Sequence, residues 1–124
     1  MKIDSVAVLE RRRARQRALI DRAEHYAAGL DAALGVWAVV VFGSVARGDF
    51  NVWSDVDVLV VADHLPDRPL DRLDALGPRP ELVQPVAWTP RELRAQRRRN
   101  NPIAREALEH GRWLLGTPEA VTAE

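Results

Sequence analysis

The chain has 124 residues, 47% of them apolar, and its 18 basic and 18 acidic side chains cancel to a net charge of zero. That size and apolar content point to one compact domain over residues 1–124 and exclude global disorder. The neutral balance argues against a general nucleic-acid binder, and the absence of cysteine excludes disulfides and thiolate metal sites.

No run of about 18 apolar residues occurs, so no membrane span is expected. The basic cluster at residues 11–15 follows the short apolar start, which is the wrong order for a secretion signal. A soluble, cytoplasmic protein is the expectation.

Residues 5–30 carry Leu9, Leu19, Ile20, Ala23, Tyr26, Ala27 and Leu30 at helical spacing, with Arg11, Arg12, Arg13, Arg15 and Arg17 on much of the other face. Gly29 and Gly35 bracket the end of this helix. Val36–Phe42, "VWAVVVF", is short, β-branched and aromatic, as in a strand buried on both faces. A turn-rich connection follows, with Gly43, Ser44 and Gly48 in it, before a second buried strand over Val56–Val61. Leu70–Leu76 reads as a short helix stopped by Gly77-Pro78. Glu81–Trp88 is a third strand, and Pro85 confines it to an edge or a bulge. Thr89-Pro90 with Glu92 forms a capping box, and Asn101-Pro102 starts another helix that runs to Gly111. "RWLLG" at 112–116 reads as a final strand or an extended tail. The class is α/β or α+β, a small sheet with helices around it.

Asp55 and Asp57 stand one residue apart at the mouth of the second strand. Alternation puts both on one face, with Cβ atoms roughly 6–7 Å apart. Unpaired, they would repel and lose hydration. A divalent cation removes that conflict, and carboxylate oxygens suit Mg²⁺. The plainer reading of an isolated D-x-D is a turn cap beside a solvated strand end. The upstream turn weighs against it: Gly43 allows close backbone approach, Ser44 brings a hydroxyl and an amide, and a short helix over 44–47 would turn its N–H groups toward an anion. An anion cradle beside a cation site suits a metal-bound nucleoside triphosphate.

Gly43-Ser44, ten residues, then Asp55-Val56-Asp57 resembles the signature of the polymerase-β-like nucleotidyltransferases. The fuller stretch "GSVARGDFNVWSDVDVLV" is similar to the minimal nucleotidyltransferase group, small proteins often encoded beside a helical HEPN partner. The resemblance implies the nucleotidyltransferase fold, a small mixed sheet flanked by helices. It also implies transfer of a nucleoside monophosphate, usually AMP from ATP, to a hydroxyl or phosphate, with two Mg²⁺ ions held by three carboxylates. By position these are Asp55, Asp57 and, as the third, Glu81, a glutamate where aspartate is usual. Gly43, Ser44, Arg47, Gly48 and Ser54 fall at the nucleotide-binding positions. A HEPN-type partner or a second copy would complete the site.

Other residues carry weaker signals. His25, His64 and His110 show no metal-ligand spacing. Trp37, Trp88 and Trp113 lie in apolar segments and are expected in the core, whereas Trp53 stands in the polar turn. The arginine runs at 11–15 and 97–99 read as solvated helix faces, with RNA or an acidic partner as the functional alternative. Three readings therefore stay open: a metal-dependent nucleotidyltransferase, a nucleotide-binding antitoxin or partner-binding module without transfer, and an arginine-mediated RNA binder.

Overall fold

Two strands made almost wholly of valine, leucine and alanine form the centre. They are β1 (Val36–Phe42) and β2 (Val56–Ala62), paired antiparallel from Val36↔Ala62 to Phe42↔Asp57. The computed structural model describes residues 5–123. Around this pair the chain adds α1 (Ser5–Ala28) before β1 and the single-turn helix α2 (Ser44–Arg47) after it. Then come α3 (Pro69–Leu76), β3 (Val83–Trp88), α4 (Pro90–Arg98), α5 (Pro102–His110), β4 (Arg112–Leu115) and α6 (Pro118–Thr122). The sheet order is β3-β2-β1-β4, with β2 and β3 parallel and the other pairs antiparallel.

Alternation sorts the sheet into two apolar layers. Val39 and Val41 of β1 and Val56, Val58 and Val60 of β2 pack with Leu19, Ala23 and Tyr26 of α1, Val45 of α2 and Leu76 of α3. Ala38, Val40, Phe42, Leu59 and Val61 point the other way, onto Leu93 of α4, Ala104 and Ala107 of α5 and Val121 of α6. Both faces of β1 and β2 are thus covered, which is why these strands read as continuous apolar runs.

The mixed sheet flanked by helices is the expected class. Of the two placements Pro85 allowed, β3 takes the edge without a bulge, and it pairs regularly with β2, Pro85 opposite Val58. The capping box is present: Thr89 Oγ1 accepts from the Glu92 N–H at 3.1 Å, and Glu92 Oε1 accepts from the Thr89 N–H at 2.8 Å. Residues 112–115 are a paired strand, and α6 was not anticipated. Two expectations are corrected. Trp37 is 44% exposed, because the β1–β2 register shifts between Val36 and Ala38 and takes it out of the alternation. The third strand starts at Val83, not Glu81: residue 82, a leucine, has φ 72°, a left-handed turn that breaks the extended run. Among the described residues, no helix is long and apolar enough to cross a membrane.

Candidate active site

β1 ends where β2 and β3 begin, and the acidic pair sits at that rim. Asp57 pairs with Phe42, the last residue of β1, so its carboxylate lies against the turn that follows. At that turn Gly43 has φ 79° and ψ −156°, and a Cβ built on it would stand 2.6 Å from Asp57 Oδ2. Only glycine satisfies both the backbone angle and the clearance. The chain then enters α2 at Ser44 and leaves it through Gly48 at φ 89°.

On the other side of β2, register places Gln84 of β3 beside Asp57, on the same face. Gln84 Nε2 donates to Asp55 Oδ2 at 3.0 Å, which brings Asp55 to the same spot. Gln84 Oε1 in turn accepts from Arg79 Nη1 at 2.6 Å. Burial, and after it the negative charge of Asp55, pushes the Asp57 carboxyl above the usual carboxylate range, opposed by the charge of Arg47. Among the described residues the Asp57 carboxylate makes no hydrogen bond or ion pair. A half-buried, like-charged pair of oxygen donors fits a hard divalent cation such as Mg²⁺.

The remaining expected residues are placed differently. Arg47 is committed to two carboxylates, Asp49 Oδ2 at 3.1 Å and Glu106 Oε1 of α5 at 2.8 Å. The Ser54 hydroxyl accepts from the Asn51 N–H at 3.0 Å and closes the loop in front of Asp55. Gly48 caps α2, and its carbonyl accepts from Arg12 Nε of α1 at 3.1 Å. Arg12 also donates to the Phe50 carbonyl and lies over that ring, 4.7 Å from its centre. These contacts fix the shape of the loop.

Glu81 is not brought to the pair. It is exposed, it precedes the left-handed Leu82, and its carbonyl faces Arg22 Nη1 of α1 at 3.4 Å, on the opposite layer of the sheet from Asp57. Among the described residues no three His, Cys, Asp or Glu side chains are arranged to hold a metal. His64 follows the far end of β2, and His25 and His110 lie on α1 and α5. Trp53 is 86% exposed, with Val52 also in solvent, on a turn braced by the Trp53 N–H to Asn51 Oδ1 bond at 2.8 Å. Sequence reasoning passed over Gln84 and Arg79. The available signal was a polar residue inside the apolar run Val83–Trp88.

The sequence profile of the nucleotidyltransferase domain matches residues 29–114, more than half of the chain. The chain belongs to the nucleotidyltransferase domain family. A crystal structure of a candidate nucleotidyltransferase from Sulfolobus solfataricus shares the fold, with a TM-score of 0.57 at 20% identity over 79% of this chain and 80% of that one. A toxin–antitoxin crystal structure with AMP-PNP aligns at a TM-score of 0.49 and 21% identity, over 79% of this chain and 77% of that one. A candidate protein adenylyltransferase of Methanocaldococcus jannaschii, MJ1305, is 51% identical over 35 residues, 28% of this chain. That match spans 24% of the relative's own length. The nucleotidyltransferase assignment thus rests on the profile, and the acidic pair and its glycine turn lie inside the matched span.

Proposed function

We propose that this nucleotidyltransferase moves a nucleoside monophosphate, AMP from ATP, onto a hydroxyl or phosphate acceptor, with pyrophosphate leaving and Mg²⁺ held at Asp55 and Asp57. One observation carries the reading: the bare backbone of Gly43 lies against the Asp57 carboxylate. A phosphate-side turn and a cation-side acid are pressed together there by the pairing of Phe42 with Asp57.

When bound, the cation supplies positive charge against the triphosphate and polarises the phosphorus under attack. The protein's own residues do the rest. Asp55 and Asp57 hold the cation, and Gly43 leaves room for a phosphate to approach the backbone. Ser44 offers a hydroxyl and an N–H to phosphate oxygens. A phosphate reaching Arg47 would compete with Asp49 and Glu106 for the guanidinium, so Arg47 acts first as the brace between α2 and α5. Gly48 and Ser54 keep the loop in shape.

The acceptor arrives on a partner, a HEPN-type helical protein or a second copy, because the pair lies at the rim of a small sheet. Val52 and Trp53 support such docking: two apolar side chains stand in water beside Asp55. The name of the Methanocaldococcus jannaschii relative supports a protein acceptor.

Incubation with α-labelled ATP, Mg²⁺ and the product of the neighbouring gene tests the proposal. Label should reach the partner, and Asp57→Asn or Asp55→Asn should reduce transfer at least about 100-fold. A second reading, a nucleotide-binding antitoxin module without transfer, is favoured by the neutral Gln84 beside the acids. Its signature is ATP and partner binding that survive with no transfer in the wild type.

A further inference from the structure

The donors at the rim suit one cation and do not suit two. Gln84 is the same-face neighbour of Asp57 across the β2–β3 pair, a place from which a further ligand could reach the rim. Its amide orientation is forced by its partners. Arg79 can only donate, so it must meet Oε1, and the Asp55 carboxylate can only accept, so it must meet Nε2. The one atom of Gln84 able to bind a metal is therefore turned to a guanidinium. What the side chain gives the site is an N–H donor. Arg79 is held in place by a second bond, to the Val83 carbonyl at 3.2 Å.

Charge leads to the same result. Two carboxylates balance one divalent cation. With no nucleotide bound, a second would leave a surplus of two positive charges at a separation of about 3.5–4 Å, beside the cationic Arg79. Asp49 and Glu106 are paired with Arg47, and Glu81 is on the other layer of the sheet, so none of them relieves it.

We propose that the Asp55–Asp57 site binds a single divalent cation, and that Gln84, locked by Arg79, occupies the position from which a second would be held. The inference rests on the proposed function for its setting but is read independently of transfer.

Equilibrium dialysis against Mn²⁺ without nucleotide, whose phosphates bind Mn²⁺ themselves, counts the ions per chain. One Mn²⁺ is expected, falling to none in Asp57→Asn. Combining Gln84→Glu with Arg79→Met should raise the count to two, since a free carboxylate then faces the pair. Two ions in the wild type would overturn the proposal, as would none. An ion that persists in Asp57→Asn, or a double variant that still holds one, would also overturn it. The transfer assay separates this result from the function. One bound Mn²⁺ without label transfer removes the proposed activity and leaves the cation count standing. Transfer with two bound ions does the reverse.

Discussion

At Gly43 two demands coincide, a left-handed φ and room for the Asp57 carboxylate, and they can be separated by mutation. Gly43→Ala should cost about 2 kcal/mol in denaturant unfolding and abolish label transfer, because the methyl group meets Oδ2. In an Asp57→Ala background the same change should cost less, with only the backbone strain remaining; equal costs in both backgrounds would show that the clearance is irrelevant. Asp57 itself opposes folding when charged. Its carboxyl sits above its unfolded value, so the penalty is present at neutral pH and fades as pH falls through that raised value. Asp57→Asn should therefore melt higher than the wild type in metal-free buffer at neutral pH, because it removes both the burial cost and the repulsion from Asp55. At this scale the acidic pair and its glycine were legible, because residue type and spacing state their chemistry. The displacement of Glu81 was not: leucine gives no warning of the positive φ that Leu82 adopts, and one such residue is enough to take its predecessor off the sheet face.

Among the elements, α3, the end of β3 and the start of α4 meet at one buried arginine. Arg72 is 8% exposed and donates to the Pro66 carbonyl at 2.6 Å, the Ala87 carbonyl at 3.1 Å and Glu92 Oε1 at 2.8 Å. Removing it strands two backbone carbonyls and leaves Glu92 Oε1 only its bond from the Thr89 N–H, so Arg72→Leu should lose about 2–3 kcal/mol of stability. Burial raises the Glu92 carboxyl, but the bonds from Arg72 and Thr89 outweigh it and hold the group below its usual value. A depressed carboxyl stabilises above its unfolded pKa of about 4.3 and loses that contribution as pH falls. The stability advantage of the wild type over Glu92→Gln should accordingly shrink between about pH 5 and pH 3. The capping box was readable because its residues lie within four positions of one another, and proline narrowed β3 to an edge or a bulge. Arg72 was not, since a helical arginine reads as solvated until the neighbouring carbonyls are known.

Across the whole molecule, the sheet separates two apolar layers that come from different parts of the chain. α1, α2 and α3 cover one face, and α4, α5 and α6 cover the other. The class of fold was legible from the two unbroken apolar strands, which demand cover on both sides. The choice of helix for each side was not, because it depends on crossovers that leave no local mark. The order has a consequence for biosynthesis. When the ribosome has released the chain only as far as Trp88, the strands can already pair against α1, while Ala38, Val40, Leu59 and Val61 still wait for helices not yet made. A fragment ending at residue 89 should bind a hydrophobic dye and precipitate where the full chain does neither. The nascent chain should thus leave this apolar face open to chaperones until residues 90–122, which carry α4, α5 and α6, have emerged.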